Sequence, residues 1–211
     1  KTHYLDAISG DDGADGLTPQ TAWRSCARAR GLVLGPGERL LLRRGSVFRD
    51  ELVVTACGAS ANWAEIGAYG EGPRPTVRRS RNLSERCVHI VDPSYLVVRD
   101  LVVCDAGKGL DIACTRGGCR GILVERCLAH HIEGLYRRNS HGIPEWHDLA
   151  GAPGAGSTSG IGVAGSRFRE VTLRDCESYQ CSSGFRANGG DVWLSRMYCH
   201  DNFCPNTSPH P

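Results

Sequence analysis

The chain has 211 residues, 27 of them glycine and 11 cysteine, with a formal charge of +2. That length suits one domain with a sizeable core, and the near-neutral charge gives no reason to expect nucleic acid as a partner. No apolar run approaches the roughly 20 residues needed to span a bilayer, so no membrane partner is expected. The cysteine count favours an exported, disulfide-tolerant protein. The opening KTHYLDAISG has neither an initiator Met nor a signal-peptide pattern, as expected of a processed, secreted chain.

At the front, HYLDAIS reads as a strand and GDDGADGLTP as a turn. TAWRSCARARGLV places apolar residues at Ala22, Trp23, Cys26, Ala29 and Leu32, the pattern of a short amphipathic helix. Strand and helix together, residues 1–36, are expected to form an N-terminal cap. From residue 37 to 211 the chain reads as repeated β coils. Glycine-led segments KGLDI, EGLYR, SGIGV and SGFRA place Gly109, Gly134, Gly160 and Gly184 at intervals of 25, 26 and 24 residues. Strand-like segments ending in Cys104, Cys127, Cys176 and Cys199 recur beside them. A period of this length marks a solenoid, because one unit cannot bury its own apolar face. Stacking would align Cys104, Cys127, Cys176 and Met197 or Cys199 as an inward ladder. Local disulfides Cys176–Cys181, Cys199–Cys204 and Cys114–Cys119 compete with unpaired, buried thiols.

The stretch 128–160 interrupts the period, with a long loop or degenerate coil at about 137–159. It is rich in ionisable and aromatic residues, and long loops in compact domains tend to be functional. The chain stops at DNFCPNTSPHP with no visible closing element, as expected of a fragment, of a chain truncated at its C-terminus, or of one that lacks a capping partner.

YLDAISGDDGADGLTPQTAWRSCARA, LGPGERLLLRRGSVFRDEL and IGAYGEGPRPTV resemble the N-terminal segments of secreted right-handed parallel β-helix proteins of the pectate-lyase-like superfamily. Glu38 stands where those proteins usually carry Asp. The resemblance implies an all-β fold, a right-handed parallel β-helix, and activity on a polysaccharide. The fold itself hosts hydrolases, lyases, epimerases, adhesins and tailspikes.

The glycine alignment stacks Asp111, Tyr136, Gly162 and Arg186 in one column and Lys108, Glu133, Ser159 and Ser183 in another. The expected catalytic residues are Asp111, Glu133, His131, Glu145, Asp148, Arg186 and Lys108. Tyr136, Arg137, Trp146, His200 and Asp201 are expected to bind sugar. Hydrolysis needs two carboxyls flanking the glycosidic bond, roughly 5–5.5 Å apart for retention or 6.5–9.5 Å for inversion. Hydrolysis, which requires no cofactor, is the first reading. Elimination on a uronic-acid polymer is the alternative, with Lys108 or an arginine, or Ca²⁺, neutralising the uronate. A non-catalytic glycan-binding or adhesin β-helix is the other. Asp11, Asp12 and Asp15 read as a structural turn rather than a Ca²⁺ site, and no resident metal is assigned. The protein is expected to be a monomer or weak oligomer.

Overall fold

A computed structural model describes residues 1–133, 159–164 and 168–202, together with the backbone of two short strands between them. In chain order the strands are β1 (Thr2–Leu5), β2 (Val33–Leu34), β3 (Arg39–Arg43), β4 (Val47–Phe48), β5 (Leu52–Ala56), β6 (Ala64–Tyr69) and β7 (Thr76–Arg78). Next come β8 (Arg86–Val91), β9 (Leu96–Arg99), β10 (Val102–Ala106), β11 (Lys108–Ala113), β12 (Arg120–Glu125), β13 (Leu128–Ile132), β14 (Arg137–Arg138) and β15 (Pro144–Glu145). The last are β16 (Ile161–Ala164), β17 (Arg169–Arg174), β18 (Glu177–Cys181), β19 (Phe185–Ala187), β20 (Gly190–Ser195) and β21 (Tyr198–His200).

Three parallel sheets run the length of the molecule. The first has the order β1-β3-β6-β9-β12-β17-β20, the second β4-β7-β10-β13-β18-β21, and the third β2-β5-β8-β11-β16-β19. The chain visits first, second and third sheet in turn and then starts the next coil, so the fold is a right-handed parallel β-helix. Its bore is filled by columns of aliphatic residues, because inward positions repeat in register on every coil. Leu96, Ile122 and Val171 form one such column in the first sheet, all fully buried. Leu52, Val88, Leu110 and Ile161 form another in the third.

The corners use left-handed backbone in residues other than glycine. Asp100, Arg126, Asp175 and Arg196 all have φ between 49° and 58° where the first sheet turns into the second. This conformation is unfavourable for an L-residue. Here alternating charge helps to hold it: Arg126 grips Asp100 through two bonds of 2.9 and 3.0 Å, and Arg196 grips Asp175 one coil on. Asp105, His131, Gln180 and Asp201 mark the next corner in the same way.

Several of these acids titrate low. Burial pushes the Asp105 carboxyl up, but hydrogen bonds from Arg81 (2.8 Å) and Arg78 (2.7 Å) outweigh it and leave the pKa below its ordinary value. The bond from Arg126 does the same for Asp100. A folded pKa below the unfolded one stabilises the fold above about pH 4, and that contribution fades as pH falls through the lower folded values. Urea midpoints are therefore expected to fall in that acid range, and Asp105→Asn should flatten the fall.

Two expectations need correction. The segment after Pro19 is not an amphipathic helix. It forms two 3-10 turns, Pro19–Thr21 and Cys26–Ala29. Between them Trp23 is held extended, its N–H donating to the Tyr4 carbonyl and its own carbonyl accepting from Asp6. Ala22, Trp23, Cys26 and Ala29 are nevertheless buried, so the apolar positions agree with the sequence pattern and their geometry does not.

The cysteine ladder also differs. Cys104 pairs in register with His130, not with Cys127. The corner rungs are Leu101, Cys127, Cys176 and Met197, as the bonds from Leu128 to Leu101, Glu177 to Cys127 and Tyr198 to Cys176 show. The echo between cysteine pairs is thus no coil register. Cys114–Cys119 is a disulfide with Cα atoms 6.1 Å apart. Cys176 and Cys181 are free and buried, because they occupy separate inward positions, and Cys199 is free as well.

The glycine column does form: Gly109, Gly160 and Gly184 stack, and Leu110, Ile161 and Phe185 come next in register. A Cβ on Gly109 would press on the Gly160 carbonyl oxygen and stand 2.9 Å from Val103 Cγ2. Neither a paired strand nor a packed valine can yield freely. Gly109→Ala is expected to cost about 1–3 kcal/mol in chemical denaturation. Gly13→Ala, where the nearest atom is 3.5 Å away, should be close to neutral.

Candidate functional site

The third sheet carries the main polar cluster, and a break in strand alternation creates it. Cys87 and Val88 both face inward, as do Gly109 and Leu110. Two consecutive inward residues put positions three apart on the same outer face. Arg86 and His89 therefore project outward from β8, and Lys108 and Asp111 from β11. Lys108 lies against Arg86 and Asp111 against His89 in register.

The four side chains converge on one atom. Asp111 Oδ2 is 3.4 Å from Lys108 Nζ, 3.4 Å from His89 Nδ1 and 3.5 Å from Arg86 Nη1. Arg86 also donates through Nε to Glu51 at 3.0 Å, and Arg30 approaches Glu51 at 3.8 Å. Asp111 is only 8% exposed. Burial pushes its carboxyl up, but the neighbouring His89, Lys108 and Arg86 outweigh burial and hold its pKa below the ordinary value. The group is ionised at neutral pH.

The other buried carboxylates are fully committed. Asp105 gives one oxygen to Arg78 and the other to Arg81. Glu125 gives Oε1 to Arg126 at 2.9 Å and Oε2 to Arg174 at 2.6 Å. Asp6 gives Oδ2 to Arg43 and Oδ1 to the Ile8 and Ser9 N–H groups. Among the described buried carboxylates, Asp111 alone has every contact on one oxygen. Its Oδ1 has no partner among the described residues.

One coil beyond Asp111 stands Gly162, and beyond that Arg186. A Cβ on Gly162 would collide with Ser159 Oγ, so that hydroxyl closes over the missing side chain. Ser159 in turn succeeds Lys108, and Ser183 succeeds Ser159, through the bonds Gly109 to Ser159 and Gly160 to Ser183. The columns expected from sequence are therefore present without Gly134: β11 pairs directly with β16. Arg186 turns Nε to Asn188 at 3.2 Å.

Glu133 is not in the Lys108 column. It lies just after β13 on the second sheet, and its N–H donates to the Ala106 carbonyl at the corner leading into β11. Ser159, the next described residue of the coils, lies beside Lys108. His131, His200 and Asp201 belong to the outer face of the second sheet. His130 and His131 meet Nδ1 to Nδ1 at 2.7 Å. His130 stacks on Tyr179, and Tyr179 on His200, with centroids 5.0 and 5.3 Å apart. His200 lies 2.8 Å from Asp201 and 3.3 Å from Glu177, and its pKa is raised chiefly by the Asp201 bond. Tyr136, Trp146, Asp148 and the histidines His141 and His147 lie outside the described residues. Arg137 and Glu145 pair across β14 and β15, and their side chains lie outside the described residues.

Sequence reading missed Arg86, His89 and Glu51. The signal was present: RCVHIV (86–91) has the same outward–inward pattern as KGLDIA (108–113). Cysteine in the glycine position hid it from a glycine-led alignment.

The turn acids are spent on backbone. Asp12 accepts from Arg24 and Ser25, and Asp15 from Leu17 and Thr21. Among the described residues the group with metal-type donors close together is Asp92 with Cys114 and Cys119, whose sulfurs are joined to each other. No helix among the described residues is long and apolar enough to cross a membrane.

No protein-family model matches the chain. It is similar to two crystal structures of a GH136 lacto-N-biosidase from Eubacterium ramulus. The selenomethionine form aligns with a TM-score of 0.64 at 20% identity, over 90% of this chain and 42% of that one. The native form aligns at 0.61 and 19%, over 96% and 41%. These likenesses show the shared β-helix fold. A lacto-N-biosidase of Bifidobacterium longum subsp. longum is 35% identical over 75 residues, which is 33% of this chain and 5% of that protein. The chain thus spans about two fifths of the solved proteins it resembles and a small part of the curated one.

Proposed function

We propose that the chain carries the catalytic surface of a secreted glycoside hydrolase, with a polysaccharide or glycan strand lying across the third sheet at Asp111. The observation that carries this reading is the asymmetry of Asp111. A carboxylate that is buried, ionised, fixed through one oxygen and uncommitted at the other is suited to act as nucleophile or general base at a sugar carbon. Its lowered pKa argues against the role of proton donor.

The donor in this reading is Glu133, at the corner beside Lys108. It protonates the glycosidic oxygen as the bond to the anomeric carbon breaks. Asp111 Oδ1 either attacks that carbon directly or takes a proton from the water that does. Lys108 and Arg86 keep Asp111 charged. Arg186, one coil past Gly162, hydrogen-bonds sugar hydroxyls. His200 and Asp201 extend the binding surface onto the second sheet. No step needs a cofactor. The similarity to lacto-N-biosidases supports a hydrolase, though the specific sugar is not carried over from them.

Elimination is disfavoured because Lys108, the cation that would neutralise the uronate, is already engaged with Asp111. The test is a screen of neutral and uronic-acid glycans that reads reducing ends and ultraviolet absorbance together. Reducing ends without absorbance are expected. Absorbance rising with them would establish elimination, and tight retention without turnover would make the chain a binding module.

A further inference from the structure

We propose that His89 is a positioning residue, held as the Nδ1–H tautomer, that locks Asp111 by Oδ2 and so makes Oδ1 the oxygen presented to the groove. The inference rests on the hydrolase reading for its purpose but on geometry for its content.

Arg86 Nη1 lies 3.3 Å from His89 Nε2. A guanidinium has only donors, so Nε2 must supply a lone pair. The single proton of a neutral imidazole then sits on Nδ1. Nδ1 faces Asp111 Oδ2 at 3.4 Å and has no other acceptor among the described residues. At that distance the contact is a directed charge interaction rather than a short hydrogen bond. It still decides orientation, because every donor acting on Asp111 acts on the same oxygen.

Protonating Nε2 would point N–H at N–H across the Arg86 contact. It would also add a third cation beside Arg86 and Lys108. The groups facing His89 are Glu51 ahead of β5, Arg86 on its own strand, and Lys108 and Asp111 on β11; beyond them on the β16 side come Ser159 and Gly162. Only Glu51 and Asp111 among these are anionic, and Glu51 is bonded to Arg86. The half-buried ring lies between a donor and an acceptor, and only the Nδ1–H tautomer turns a lone pair to the first and a proton to the second.

Long-range proton–nitrogen spectra of the ¹⁵N-labelled chain at pH 7.5 test this directly, with the His89 signals assigned by their loss in His89→Gln. One protonated nitrogen, at Nδ1, is expected. An Nε2–H or doubly protonated ring would overturn the proposal. A second measurement follows the Asp111 carboxyl by carbon chemical shift against pH. His89→Asn keeps an N–H near the Nδ1 position and should leave the midpoint nearly unchanged, whereas His89→Phe should raise it by about one pH unit. An equal shift in both variants would also overturn it. Neither readout needs substrate. If both succeed and no glycan is cleaved, the hydrolase reading falls and the positioning role stands. If glycans are cleaved and His89 is Nε2–H, the reverse holds.

Discussion

Asp111→Asn is expected to lower kcat/KM by about a thousandfold or more, within the range lost when a nucleophile or general base is removed. Asparagine keeps the shape and one acceptor but not the charge. The enzyme would bind glycan through Arg186 and the rest of the groove, so KM should move little and kcat should carry the loss. Stability should fall as well, because Lys108 and Arg86 lose a counter-charge in a site where their side chains are 14% and 19% exposed. Arg86 retains Glu51, which limits the loss to about 3 kcal/mol or less. Circular dichroism should therefore remain that of a β-helix. Glu133→Gln is expected to lower kcat similarly. The acidic limb of the pH profile belongs to Asp111 and lies below the ordinary carboxylate value, since its folded pKa is depressed. Near-normal turnover in Asp111→Asn would remove the site assignment.

Leu173→Ala is expected to destabilise the fold by about 2–5 kcal/mol, and Leu194→Ala by about 1 kcal/mol or less. The two leucines face each other in register on β17 and β20. Any account based on the repeat alone gives them equal weight. In the structure Leu173 is fully buried, with Val124 and Val98 continuing its column, while Leu194 is 57% exposed on the last rung. A leucine with neighbours on both sides leaves a cavity when truncated, and one on the open rung leaves only a shallower surface. Chemical denaturation of both variants decides it. Equal losses would mean that the last coil is covered in solution.

The fold was legible because two signals agreed. Alternating aliphatic segments recurred with glycines in register, and Gly109, Gly160 and Gly184 do stack. The corners were less legible. Left-handed residues such as Asp100, Arg126 and His131 carry no glycine to announce them, since ion pairs and edge-on ring contacts hold that backbone instead. Local spacing misled where tertiary bonds prevailed. Trp23 has the neighbours of a helical residue, yet its backbone bonds to Tyr4 and Asp6 hold it extended.

The candidate site was half legible. The glycine column placed Lys108, Asp111 and Arg186 on one sheet. It did not place His89 and Arg86, because their strand carries Cys87 where the others carry glycine. The glycine alignment put Glu133 one position too far along the coil. Its N–H bonds to the Ala106 carbonyl, so its place is the corner and not the Lys108 column.

The most direct test is cleavage in ¹⁸O-labelled water, with wild type and Asp111→Asn side by side and products read by mass spectrometry. Hydrolysis adds one water across each broken bond. The account predicts one ¹⁸O at every new reducing end for the wild type and almost no product for the variant. Products that carry a double bond and no label, or undiminished labelled product from Asp111→Asn, would contradict it.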